Sequence, residues 1–219
     1  MGRNAEAVAD HSSPHVLDAY QTTGSSPTLH LLGPGNVGRA LLGLLLETGS
    51  HRLVGVTDSR GTVHDPDGLS PERVIDVKER GDTLVSAFGG SQRSIRDALL
   101  EVNAEVVVDA TATDFGRPEW ARALDEGAVL RGRTLVLAAK DAAAARIDRW
   151  SDPALGARVG INAVLGGTGR GLMESLPELR EGWHDVACAG SASTTAIVQV
   201  LERGGSLEEG VKVAGDRGF

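Results

Sequence analysis

Cysteine occurs once, at Cys188. One thiol excludes an intrachain disulfide and any cysteine-based zinc site. It fits a reducing compartment, so a cytoplasmic location is expected. Aromatic residues are only 3% of the chain, so the core must be built from Leu, Val, Ile and Ala. Long apolar runs are missing as well. Even Ala40 to Leu46 falls far short of the ~20 residues that span a bilayer. Asp10, His11 and Ser12 stand where a secretory leader would carry its apolar stretch. There is no basic excess. The net charge is −8, and without a basic face to neutralise phosphates no nucleic-acid partner is expected. The six histidines (11, 15, 30, 51, 64 and 184) include no i, i+4 pair, so no metal site is assigned to them.

Glycine is plentiful, with 29 residues, and several cluster where backbone must come close to something else. The 219-residue length fits one large domain, or one domain and part of another. Residues 1–26 are polar, broken by Ser, Gly and Pro, and read as a disordered tail. Beyond them the pattern alternates. Strands are expected from Thr28 to Leu32, Arg52 to Thr57, Asp82 to Phe88, Glu105 to Ala110, Thr134 to Ala139 and Ala157 to Val164. Helices are expected from Val37 to Glu47, from Ser70-Pro71-Glu72 onward, from Ser94 to Val102, from Arg117 to Gly127 and from Ala142 to Trp150. Strands alternating with helices imply an α/β fold, a Rossmann-like doubly wound parallel sheet. After Val164 come a glycine-rich turn, a helix to about Glu181, a strand from Asp185 to Ala189, a helix from Ser193 to Arg203, and a last helix opened by a Ser206/Glu209 capping box. The expected division is therefore a dinucleotide-binding domain over 27–164, then the beginning of an α+β substrate and dimerisation domain over 165–219.

Gly33, Gly35 and Gly38 spell G-x-G-x-x-G between an expected strand and an expected helix. Gly33 permits the tight turn, Gly35 carries no side chain to hold off a pyrophosphate, and Gly38 lets helix and strand pack closely. The free amides of the helix start, around Asn36 and Val37, then face the phosphates with the positive end of the helix dipole. Asp58 follows the second strand, where an acid can accept from a ribose 2′-hydroxyl and favour NAD. Arg60, two residues on, can instead grip a 2′-phosphate and favour NADP. The sequence leaves the choice between NADP and NAD open.

Ligands of open α/β sheets sit beyond the carboxyl ends of the strands. Three segments fall there. Thr111 and Thr113 follow VVVDA and can line the nicotinamide ribose, or simply cap the next helix. Lys140 follows LVLAA; it can bind a substrate carboxylate or protonate an alkoxide, or be a solvated lysine at a helix start. Gly166 to Gly169, with Gly167 at its centre, can bring backbone up to the nicotinamide or a cation, or merely connect domains.

In their order and spacing, LLGPGNVGRALL (31–42), VTDSRG (56–61), VVVDATATD (106–114), LVLAAKDAAA (135–144), INAVLGGTGRGLMESL (161–176) and LERGGSLEEGVKVAGDRGF (201–219) resemble the homoserine dehydrogenase family. The resemblance implies NAD(P)-dependent interconversion of aspartate semialdehyde and homoserine by a homodimer. It implies that Lys140 matches the lysine of the family's Asn-Lys segment, that Thr111 and Thr113 match its nicotinamide-side loop, and that Gly166 to Gly169 match the loop before its catalytic domain. Ala139 stands where the family has Asn, Ser191 to Ala196 replace a Gly-Thr-Thr-Asn-Tyr-like run, and Phe219 stands where a Tyr opens a Gly-Tyr-x-Glu-x-Asp-Pro segment. The sequence stops ahead of that segment, so weak or absent turnover is expected of it, with dimerisation or aggregation through residues 185–219. Two other readings stay open: a non-catalytic dinucleotide-binding or subunit-pairing module, and an oxidoreductase for another small aldehyde or amino acid.

Overall fold

A computed structural model describes residues 26–117, 119–150, 152–164 and 191–217. They divide into two units, one within residues 1–170 and the other within 171–219.

The first unit is a six-stranded sheet. Its strands are β1 (Thr28–Leu32), β2 (Arg52–Asp58), β3 (Gly61–His64), β4 (Val106–Asp109), β5 (Thr134–Leu137) and β6 (Val159–Gly160), in the order β3-β2-β1-β4-β5-β6. TLHLL, VVVD and TLVL are short Leu- and Val-rich runs, the composition of strands covered on both faces. Five strands run parallel. The order reverses between β1 and β4, and a crevice opens there at the carboxyl ends. This is the Rossmann-like arrangement expected from the alternation.

Helix α1 (Asn36–Thr48) lays Leu42 and Leu45 on the sheet, where they meet Leu29, Leu31, Leu53, Val56 and Val108. Val74 and Val77 of α2 (Pro71–Glu79) complete that side, and α2 starts as read, with Ser70 accepting from the Arg73 amide and Pro71 at the first helical position. Each leucine buried this fully contributes about 1.5–3 kcal/mol. On the other side of β2, Val54 packs with Val102 and Ala104.

Four elements differ from the sequence reading. The strand read over Ala157–Val164 is only β6, after a 3-10 helix over Pro153–Arg158. β3 is antiparallel: β2 turns straight back through Ser59 and Arg60, pairing Asp58 with Gly61 and Thr57 with Thr62. Asp82 to Phe88 is not a strand but contains α3 (Leu84–Phe88). Thr83 caps its start by accepting from the Ser86 amide, and Gly89 closes its end at φ +73° with its amide bonded to the Val85 carbonyl. Two caps six positions apart outweigh the alternation in this segment. The helix read as Ala142–Trp150 is two, α6 (Lys140–Ala145) and α7 (Ile147–Trp150), broken at Arg146, whose guanidinium donates to the buried Asp125 carboxylate at 2.8 Å. Between β3 and β5 lie α4 (Ile95–Glu101) and α5 (Trp120–Gly127).

In the second unit the described residues form two helices, α8 (Ala192–Glu202) and α9 (Leu207–Asp216). Gly210 sits where a Cβ would come within 3.0–3.2 Å of Ile197, which allows the two helices to approach closely. The Ser206/Glu209 capping box forms as expected. The strand read over Asp185–Ala189, the helix before it and the glycine turn containing Gly167 lie outside the described residues. No helix among the described residues is long and apolar enough to cross a membrane.

Candidate functional site

The site is assembled where β1, β2 and β4 end. Leu32 hands the chain to Gly33, which turns at φ +82° and donates its amide to the Thr57 carbonyl at 2.8 Å. A Cβ on Gly33 would lie 2.7 Å from the Ala110 carbonyl and the Thr111 backbone, so only glycine lets the exit of β4 cross the turn this closely. A Cβ on Gly38 would lie 2.3 Å from the Gly33 carbonyl, so the first turn of α1 rests directly on the loop. Gly35 differs from both. It is the N-cap of α1 with no side-chain capping bond, and a Cβ there would meet none of the described residues within 4 Å. Asn36 and Val37 follow it, exposed, in the first helical turn.

A cleft of about 350 Å³ opens on this turn, lined by Gly33, Pro34, Gly35, Thr57, Asp58, Ser59, Lys78, Ile95, Thr111, Ala112, Asp114 and Arg117. It joins four of the residues singled out in the sequence, Gly33, Gly35, Asp58 and Thr111. Asp58 is engaged at both oxygens: Oδ1 accepts from the Arg60 amide and Oδ2 from Lys78 Nζ, each at 2.8 Å. Lys78 is a site residue the sequence reading missed. It sits in the last turn of α2, twenty positions beyond Asp58, and only the return of that helix to the strand end brings the two together. Arg60 lines a neighbouring polar cleft of about 700 Å³ with Ser59, Thr83, Ser86, Gln92 and Arg93.

The far wall is the loop from Thr111 to Arg117, held by two buried carboxylates. Asp109 Oδ1 accepts from the Thr111 amide at 3.1 Å and from its hydroxyl at 2.7 Å, and Oδ2 accepts from Trp120 Nε1 at 3.0 Å. Burial pushes the Asp109 carboxyl above its usual range; the donors from Thr111 and Trp120 oppose the rise, and the neighbouring Asp141 charge adds to it. Asp141 Oδ2 accepts from the Asp114 amide at 3.2 Å and from Arg117 Nη2 at 3.3 Å. Arg117 also donates to the Ala112 carbonyl at 2.9 Å and lies over the Trp120 ring.

Thr113 does not cap α5. Its hydroxyl oxygen accepts from the Lys140 amide at 3.2 Å, so it caps α6 from across the loop. Lys140 is exposed at the first position of α6 and is not among the residues lining the cleft. Behind the site, His30 of β1 is wholly buried. Its Nε2 lies 2.8 Å from the Thr57 hydroxyl, which is 3.0 Å from that of Thr62. Desolvation, then the positive charge of Arg133 and the nearby His64, lowers the His30 pKa to about 3. Gly55 makes room for the ring, because a Cβ there would lie 2.9 Å from it. Among the described residues no group of three His, Cys, Asp or Glu side chains is placed to hold a metal ion.

Sheet order, glycine turn, and an acid at the end of the second strand together define a dehydrogenase-type dinucleotide fold. Comparison with known proteins agrees with this. Residues 14–115 match the family model described as Glutamate/Leucine/Phenylalanine/Valine dehydrogenase. The chain is 32% identical over 106 residues to a glutamate dehydrogenase of Aeropyrum pernix, covering 46% of this chain and 25% of that protein. It is 32% identical over 118 residues to a glutamate dehydrogenase of Thermotoga maritima, covering 52% and 28%. Among solved structures, a hyperthermophilic archaeal homoserine dehydrogenase in complex with NADPH superposes with a TM-score of 0.60 at 22% identity, over 88% of this chain and 61% of that one. A mutant of such an enzyme, also with NADPH, gives 0.62 at 19%. The chain spans about a quarter of the length of the curated relatives it matches.

Proposed function

We propose that this chain is the nucleotide-binding part of an NAD(P)-dependent oxidoreductase of the amino-acid dehydrogenase type. The observation that carries the reading is the open flank of Gly35 at an uncapped helix start, on a cleft shared with Asp58 and Thr111. A diphosphate suits that corner: no side chain caps the helix start, no Cβ intrudes, and the helix dipole favours its charge. Gly33, Gly35, Asn36, Val37 and Gly38 hold the diphosphate, Asp58 and Arg60 the adenosine ribose, and Thr111, Thr113 and Gly167 the nicotinamide side. The Lys78 ammonium on Asp58 offsets the negative charge that would repel a 2′-phosphate, so NADP is favoured over NAD.

When bound, the nicotinamide supplies hydride transfer to or from a substrate carbon. Lys140 holds the proton that the substrate oxygen gains or loses. The domain division follows from this: residues 27–164 carry the cofactor, and 165–219 begin a substrate and dimerisation domain of a homodimer. Aspartate semialdehyde and homoserine are the first substrate pair, supported by the motif order and the likeness of fold. A second reading, glutamate and 2-oxoglutarate, is favoured by the family model over residues 14–115 and by the glutamate dehydrogenases among the relatives. Calorimetric titration with NADPH and NADH, followed by assays on both substrate pairs, tests the proposal. Binding without turnover supports a non-catalytic module, and failure to bind either cofactor refutes the reading.

A further inference from the structure

Asp141 follows Lys140 directly in the first turn of α6, yet it is 4% exposed. A carboxylate that deep is costly unless it is held. Its Oδ2 has the Asp114 amide and Arg117 Nη2 as partners, while its Oδ1 is buried with none among the described residues. Arg117 Nε is also buried without a hydrogen-bond partner among the described residues; at 3.4 Å from Asp114 Oδ2 it makes an ion contact lacking hydrogen-bond geometry. A half-satisfied pair of this kind is a poor way to gain stability, since an apolar residue of similar volume does as well or better. What a carboxylate adds is direction. It fixes where the backbone of Asp114 and the guanidinium of Arg117 stand.

The bonds are distributed accordingly. Asp109 fixes the loop at Thr111, and Asp141 fixes it at Asp114 and Arg117. Between them Thr113 accepts from the Lys140 amide. The start of α6 and the cleft wall are thus joined through three bonds across 24 to 27 residues of chain. In a doubly wound sheet the β1–β2 side takes the adenosine half of a dinucleotide and the side beginning at β4 takes the other half. We propose that Asp141 is a positioning residue for the nicotinamide half of the site, setting the Thr111–Arg117 loop in register with Lys140. This rests on the cofactor reading above.

The test uses the full chain and two probes, NADPH and adenosine 2′,5′-bisphosphate, which has no nicotinamide half. Affinities are measured by calorimetry for the wild type, Asp141→Asn and Arg117→Lys. Asp141→Asn keeps an acceptor but removes the charge that orients Arg117. It is expected to weaken NADPH about tenfold and the bisphosphate less than twofold. Arg117→Lys keeps a positive charge but shortens the fork that Asp141 holds at 3.3 Å, so it tests the same coupling if Asp141→Asn does not fold, and about threefold weaker NADPH binding with unchanged bisphosphate binding is expected. A purely structural role would weaken both probes together. Equal losses, or no loss of NADPH affinity in either variant, would overturn the proposal. If the wild type binds neither probe, the cofactor reading falls and the positioning role with it; if it binds the bisphosphate but the variants do not separate the probes, only the positioning role falls.

Discussion

Gly35→Ala and Gly38→Ala look alike on paper and should behave oppositely. At Gly38 the new methyl would stand 2.3 Å from the Gly33 carbonyl carrying the fingerprint turn. Backbone must move, and forcing atoms into a packed contact of this kind costs about 1–3 kcal/mol. For a chain of this length that lowers the melting temperature by roughly 2–4 °C per kcal/mol. At Gly35 the methyl would touch nothing, and the backbone, at φ −79°, suits alanine. Alanine is a poorer N-cap than glycine, at a cost of several tenths of a kcal/mol or about 1. Restricting the unfolded chain returns about 0.4–1 kcal/mol. The two nearly cancel, so Gly35→Ala should melt within a few degrees of wild type. Its methyl nevertheless projects over the cleft where the diphosphate is placed. Binding should fall at least tenfold, about 1.4 kcal/mol. Differential scanning fluorimetry and NADPH titration on the two variants give four numbers. A Gly35→Ala variant that binds NADPH like wild type, or that melts as early as Gly38→Ala, would refute the assignment of this corner to a diphosphate.

Lys78→Met removes the ammonium from Asp58 and should weaken NADPH about tenfold, or 1.4 kcal/mol, with a smaller effect on NADH; parallel titrations check this, and equal losses would count against a 2′-phosphate at Lys78. His30 is neutral in the fold, with its pKa lowered from 6.5 to about 3. As pH falls below 6.5 the unfolded chain takes up the proton first, so stability declines at about 1.4 kcal/mol per pH unit until the native pKa is reached. His30→Gln should flatten that acid limb in chemical denaturation series, and an unchanged slope would mean that His30 is protonated in the fold. Trp120→Phe takes a donor from the buried Asp109 carboxylate and should destabilise by about 1–3 kcal/mol. With the Asp109 carboxyl raised above 3.8, the native state holds this proton more tightly. Stability therefore falls as pH rises from the unfolded value through the native one. Trp120→Phe should extend that fall to higher pH, which melting curves from roughly pH 4 to 8 would show.

The parts of the fold legible in the sequence are those fixed by local physics. The strand–turn–helix around Gly33 could be read because glycine spacing, the apolar run of β1 and the apolar face of α1 agree. The Ser206/Glu209 box and the Ser70-Pro71 start were legible for the same reason. The antiparallel β3 was missed because Ser59-Arg60 carries none of the usual two-residue hairpin signal. α3 reads as a strand because its capping residues lie only six positions apart, and seven residues of mixed polarity look the same at either period. Lys78 and Asp141 were illegible for another reason. Their partners stand 20 or more residues away, and no local pattern records which helix turn will face which strand end. Thr113 shows the limit most plainly: a hydroxyl before a helix invites the local capping reading, while its bond crosses to a helix 27 residues further on.

The crossing of Gly33 by the exit of β4 has a mechanical consequence. The Gly33 amide is tied to β2 through the Thr57 carbonyl, and the Ala110 amide is tied to β1 through Leu32. The three strand ends are pinned to one another by main chain, with no side chain between them to act as a bearing. The floor of the crevice therefore cannot widen by parting β1 from β4. Accommodation of a guest must come from the rim, from Lys78 and from the Thr111–Arg117 arm, while the Gly33 and Ala110 amides exchange with deuterium slowly and in step, with or without a guest.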